Sequence, residues 1–320
     1  MKTFLSVVVV LAWFAPGFQA GAAVVQWANT GTAWSNGADW LGGTAPTDDT
    51  VTDTASFDAI GAAAVNPNLT AARSVNGVAF SSGAYSYTVS GAALTVGSGG
   101  IGSGAATSTE TFSNALNTSV DQMWTNAGTL NINGTLDLNN SAATARTLSL
   151  DGAGATIING VIQNSSAGST GNLTYTGSGS GSLTLANANT FRGTTTVQSG
   201  PLVATHDGAL GSGNVTLIGN SAQLTLQSGT TNNYIADTAT LSVKTGTTLL
   251  LNFAGTDIVG SFVIDGASQP VGVYTSVNEP GLIFGTGSIT VVPEPATWTC
   301  ILSGLLVLLC SGGIRRRCRA

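Results

Sequence analysis

His206 is the only histidine in the chain, and Asp207 follows it directly. A histidine beside a carboxylate is common equipment for general acid–base work, but neighbours in sequence on a turn rarely make a working dyad. The pair precedes Ala209-Leu210-Gly211, so a solvated turn histidine is expected. Asp48, Asp49, Asp53 and Asp58 form the one dense acid group. Carboxylate oxygens in such number can hold Ca²⁺. Their spacing matches neither the EF-hand loop nor the Gly-Gly-x-Gly-x-Asp calcium repeat, which predicts a solvated loop leading into a strand at 55–57 and no metal. Polysaccharide cleavage would require two carboxylates held across a glycosidic bond. Asp137, Asp151 and Asp265 stand apart, and no spacing brings two of them together. Cys300, Cys310 and Cys318 all lie near the C-terminus, so the rest of the chain has neither a thiol nucleophile nor a disulfide. These residues predict no enzyme and no cofactor.

Trp27, Trp34 and Trp40 recur at short intervals in WANTGTAWSNGADWLGG. Regular indoles can form a platform on which sugar rings stack. They can equally close the open end of a repeat core, because terminal repeats need caps. The second role is the expected one, and carbohydrate contact is the alternative.

What must position these residues follows from composition. Only 8% of the 320 residues are charged, with 9 Lys+Arg against 15 Asp+Glu. Ordinary globular domains carry about 25%. The polar share comes from Ser, Thr, Asn and Gly, which favour turns and exposed strands over helices. Arg73, Arg146, Arg192 and Lys244 are the only cations between Lys2 and the C-terminal arginines. Phosphate binding needs clustered cations, so nucleic acid is excluded as a partner.

Short alternations recur along the body: Thr129-Leu130-Asn131-Ile132, Thr147-Leu148-Ser149-Leu150, Ser182-Leu183-Thr184-Leu185, Gln223-Leu224-Thr225-Leu226. Each is a period-2 strand with its aliphatic face inward. Turn pairs such as Asn133-Gly134 and Asn159-Gly160 separate them. Recurrence of one Thr-Leu-x-Leu unit, scarce large residues and Thr/Ser/Asn at outward positions predict a right-handed parallel β-helix, that is, a β-solenoid. At about 20 residues per coil it would be a rod about 60 Å long. A β-sandwich is the alternative. Threonine-rich rows also raise ice binding, but no strict Thr-x-Thr recurs at one coil period, and Thr is an ordinary strand residue.

Within residues 181–217, Gly181, Leu183, Leu185, Asn189, Thr190, Phe191, Gly193, Thr195, Val197, Gly200 and Leu202, then Ala209-Leu210-Gly211-Ser212-Gly213, resemble the autotransporter-associated β-strand repeat. That resemblance implies a passenger-like β-helix outside the cell. It departs at Asn187 and at Pro201. Lacking an N–H, Pro201 is expected at a turn or ladder end.

Both termini read as addresses. Lys2, the apolar run 4–15, the Pro16-Gly17 break and Ala20-Gly21-Ala22 predict a secretory signal helix, cut after Ala22. Residues 296–314 carry no charge and would make a single transmembrane helix about 28 Å long, close to the hydrocarbon thickness. Arg315, Arg316, Arg317 and Arg319 follow, a cytoplasmic basic anchor that leaves the body outside. Pro293-Glu294-Pro295 stands just before the apolar run. This order of triplet, apolar helix and arginine cluster resembles the PEP-CTERM sorting signal over residues 293–320. The resemblance implies processing near Pro293–Pro295 by an exosortase, a membrane-embedded cysteine transpeptidase-like enzyme, and association with exopolysaccharide or biofilm matrix. The expected organisation is a signal peptide 1–22, a β-solenoid body 23–292 and a sorting tail 293–320. The expected function is that of an exported cell-envelope or matrix protein with a structural or adhesive role. A carbohydrate-binding module at the Trp-rich end, an ice-binding protein and a polysaccharide-cleaving enzyme are the alternatives.

Overall fold

The computed structural model describes residues 22–292, except Ala59, Ile60, Ala62, Ser82, Ala84, Ala105, Ala142 and Ala143. The signal segment, Pro293-Glu294-Pro295, the apolar run 296–314 and the arginines 315–319 lie outside the described residues. Among those described, no helix is long and apolar enough to cross a membrane.

The body is an all-β parallel solenoid of about nine turns. Alternation makes each strand two-faced, and the strands bury their Leu, Ile and Val by stacking on equivalent strands one turn away. On one face Trp124 pairs with Leu150, Leu150 with Tyr175, and Val197 with Leu217, which pairs with Val243. On the other, Phe112, Ile132, Ile158, Leu185, Ala204, Leu226 and Leu251 stand in one inward column. Each buried Leu or Ile contributes about 1.5–3 kcal/mol, and the column continues without a break from turn to turn.

The rod is shorter than expected. Nine turns at about 4.8 Å make about 43 Å, not about 60 Å. Corners consume the difference: Thr195 pairs with Val215, 20 residues on, but Gln122 pairs with Leu148, 26 residues on, and Ala23 with Asp53, 30 residues on.

Corners are held by glycine and asparagine. A Cβ on Gly160 would come within 1.9 Å of the Gly134 carbonyl oxygen, so the two Asn-Gly turns stack only without side chains there, and the Asn159 amide donates to Asn133 at 2.8 Å. Asn189 is buried; its side chain accepts from the Ile162 N–H and donates to the Ala209 carbonyl, satisfying backbone groups that no ladder reaches. The strand Thr195–Ala204 runs over a corner at Gly200, whose φ of 74° favours glycine. Pro201 lies inside this strand, paired with Gln223 on one side, while pairing to the preceding turn starts only at Leu202. The missing N–H thus falls at a ladder end toward one neighbour only.

Both ends depart from the repeat. At the N-terminal end Trp27, Trp34, Trp40, Phe57, Phe80, Tyr87 and Phe112 replace the aliphatic columns with a run of touching rings. At the C-terminal end the chain reverses. Val263–Ile264 pairs antiparallel with Ala267–Ser268, and Gly272–Tyr274 pairs antiparallel with Ser288–Val291.

Candidate functional site

The three tryptophans have no face to offer a sugar. Trp27, Trp34 and Trp40 are 0, 2 and 2% exposed. Trp40 meets Trp27 and Trp34 edge-on at 4.8 and 5.1 Å, and its indole N–H donates to the Trp34 carbonyl at 2.7 Å. The 3₁₀ turn Gly37–Asp39, capped by Asn36, aims Trp40 inward, and the buried Asp39 accepts from the Ala33 N–H. A stacking platform needs exposed ring faces, and these rings spend theirs on one another and on Phe57.

Nor do the acids of the same region converge. Asp48 pairs with Arg73 at 3.0 Å and accepts from the Ser74 N–H. Asp49 accepts from Val51 and Thr52, and the Thr52 hydroxyl and these two N–H groups hold its carboxyl below the usual range. Asp53 accepts from the Thr47 N–H and Asp58 from Gln26. Each carboxylate is engaged separately, Asp49 and Asp53 locally and Asp48 and Asp58 by residues 25 to 32 positions away, and among the described residues no cluster of His, Cys, Asp and Glu could hold a metal.

His206 sits exposed on a turn with Nδ1 2.7 Å from the Asp207 carbonyl, and the Asp207 carboxylate faces elsewhere. That carboxylate accepts from the Thr230 N–H and hydroxyl, the Thr231 N–H and the Asn233 N–H at 2.8–3.1 Å, and so holds the loop one turn away. Burial pulls its carboxyl upward, but the hydrogen bonds from Thr231 and Thr230 outweigh this and hold it well below the usual range. Asp207→Ala is expected to cost about 1–2 kcal/mol and to speed amide hydrogen exchange at 229–233, whereas His206→Ala leaves both unchanged. Asp265 likewise closes a turn, accepting from Thr245 at 2.8 Å, and Asp137 accepts from the Asn139 N–H at 3.0 Å.

Besides Asp39, two acids that drew no attention in the sequence are fully buried. Glu110 pairs with Leu130, and so occupies a place in an inward column otherwise filled by Leu, Thr and Ile. Burial raises its carboxyl, with the Tyr87 N–H donating to it at 2.9 Å. Asp257 pairs with Ile289 in the C-terminal cap, accepts from the Ile235 N–H at 3.2 Å through Oδ2, and has no partner for Oδ1. Burial pushes it up to about 8.

The outward surface is where the turns assemble something new. One column runs Ser149, Thr174, Thr196, Thr216, Ser242, Val263, and its neighbour includes Ile218, Lys244 and Asp265. The hydroxyls of the first column make no hydrogen bond to described residues. The column on its other side is internally engaged: Asn172 accepts from the Thr194 N–H and Asn214 from the Thr240 N–H. The absence of a constant Thr-x-Thr period in the sequence concealed this column, because corners of unequal length separate rungs that stack in register. The signal available was alternation itself, since each Ser or Thr lies between two buried aliphatic positions.

A hydrogen-bonded, cation-poor parallel β-solenoid with an outward hydroxyl row is the class that fold and surface define. No family model, curated protein or solved structure matches this chain.

Proposed function

We propose that this is an exported protein of the cell envelope or extracellular matrix, sorted through its C-terminal tail by an exosortase, with a structural or adhesive role alongside exopolysaccharide. The observation that carries the reading is the order of three elements in the tail: Pro293-Glu294-Pro295, the uncharged run 296–314, then Arg315, Arg316, Arg317 and Arg319. The signal-like N-terminus supports export. The likeness of residues 181–217 to the autotransporter-associated repeat supports a passenger-like, right-handed coil, the hand that parallel crossovers nearly always take. A body stapled by hydrogen-bond ladders and an unbroken core suits a life outside the cytosol as a spacer. The separate engagement of Asp48, Asp49, Asp53, Asp58 and Asp207 by backbone and side-chain donors supports a non-enzymatic role.

The test is to follow the chain in cells with and without the exosortase. The expected result is a mature form lacking Arg315–Arg319 at the surface of competent cells, and full-length chain retained in the membrane of deleted cells. Recovery of only full-length C-termini from competent cells would overturn the sorting role, and full-length chain dissolved in the cytosol would overturn export as well.

A further inference from the structure

Near the C-terminal end of the hydroxyl row the surface becomes concave. A groove of about 510 Å³ is lined by Thr216, Ile218, Ser242, Lys244, Val263 and Asp265. Register explains its direction. Thr216, Ser242 and Val263 form one column and Ile218, Lys244 and Asp265 the next, so the groove lies between columns and runs along the rod axis. The chain reversal at Asp265-Gly266 closes its C-terminal end, where φ is 49° and 81°. Toward the N-terminus it opens onto Thr196, Thr174 and Ser149.

The chemistry of the lining is mixed in a particular way. Ile218 is 45% exposed, an apolar floor beside hydroxyls that make no hydrogen bond to a described residue. The Lys244 ammonium makes no hydrogen bond to a described residue, whereas Arg73, Arg146 and Arg192 are engaged by Asp48, by Thr118 and Asn140, and by Ser166 and Ser169. Asp265 adds a carboxylate next to Lys244, so the groove offers donors and acceptors together. Over the whole chain acids exceed Lys and Arg by six, and four of the nine cations are in the terminal arginine cluster. A polyanion would be repelled by the body it has to lie along, where Lys244 is the one cation among the described residues that makes no side-chain hydrogen bond, and Asp265 already neighbours it. A chain bearing many hydroxyls, with apolar C–H faces and no charge, meets both the hydroxyl row and the Ile218 floor.

We propose that this groove binds a neutral polysaccharide strand, lying along the rod axis with its hydroxyls on Thr196, Thr216 and Ser242 and a ring face on Ile218. The proposal rests on the matrix role given above and adds to it the ligand class and the surface. It places recognition on the side of the rod and not at the tryptophan end.

The full chain in detergent micelles can be run through native gels cast with hydroxyethyl cellulose, with dextran or with alginate. The expected result is retardation in one of the two neutral gels and none in alginate beyond the plain-gel mobility. Thr216→Val/Ser242→Ala, which removes both hydroxyls and keeps the branched shape at 216, is expected to weaken that retardation at least about five-fold with an unchanged melting temperature. Retardation of the double variant equal to that of the unmodified chain would overturn the proposal, as would preference for alginate or no retardation in either neutral gel. Ice shaping that is lost in the variant, without retardation in the gels, would assign the groove to ordered water and overturn it too. Binding is read in purified protein and sorting in cells, so loss of one leaves the other standing: a retarded chain that is never sorted refutes the tail reading alone.

Discussion

Trp40→Ala is expected to be among the most damaging single substitutions in the body, lowering stability by about 3–5 kcal/mol. Trp40 lies at the centre of the N-terminal ring cluster, within 4.8 Å of Trp27, 5.1 Å of Trp34 and 5.9 Å of Phe57. Truncation removes those contacts and leaves the Trp34 carbonyl without its indole donor. The position makes matters worse. Each turn touches only its neighbours, so a turn in the middle is supported from both sides and a terminal one from a single side. Melting followed by tryptophan fluorescence and by far-UV circular dichroism should show an early transition confined to the first turns, followed by the main one. Trp40→Phe, which keeps a ring but not the N–H, should recover much of the loss. An unchanged melting curve for Trp40→Ala would show that the rings do not cap the core.

Asp257→Asn should change the pH dependence of stability. The carboxyl sits among Tyr234, Ile235 and Ile289, with Asp237 and Asp207 adding negative charge nearby, and burial is the main cause of its rise to about 8. Unfolded, it would titrate near 3.9. Between these values the folded chain holds a proton that the unfolded chain releases. The stability tied to that proton is therefore complete below about pH 4, declines as pH rises, and is gone above about pH 8. Asn mimics the protonated acid, so the variant should match the parent below about pH 4, and its advantage should grow between pH 5 and pH 8 by an amount on the order of 2–4 kcal/mol. Asp207, held low, acts in the opposite sense: its contribution is present above about pH 4 and is lost on further acidification. Together they put the stability maximum on the acid side of neutrality. Urea denaturation of parent and variant at pH 5 and pH 8 measures this, and parallel curves at both pH values would refute a buried neutral Asp257.

The rungs themselves were legible because Thr-Leu-x-Leu alternation survives every context in which it occurs. Leu183, Leu185, Phe191 and Val197 are all buried, as the alternation and the turn at Asn189-Thr190 require. Register was not legible. It depends on corner lengths that vary from turn to turn, and a single bulge between Tyr175 and Thr176 moves Thr176 opposite Ser199. The groove was hidden for the same reason, since Thr216, Ser242 and Val263 become neighbours only when three corners are closed. Glu110 and Asp257 were hidden differently. Each takes an inward place in a strand, Thr109–Phe112 or Thr256–Val259, where its charge argues for the outside, and only tertiary packing reveals the override. The tryptophans were placed by spacing near one end of the chain, but whether their faces were open or closed depended on the short turn at Gly37–Asp39.

The ladder bonds between successive turns lie along the rod, and no disulfide crosses them. Tension applied between the two ends would therefore load those bonds one rung after another, like a zipper and not like a sheared bundle. A turn of 20 to 30 residues that lets go would release about 65–100 Å of slack while its neighbours stay wound. A strand of this material tethering a cell to its surroundings would yield in steps, giving length under a sudden pull and rewinding when the load falls.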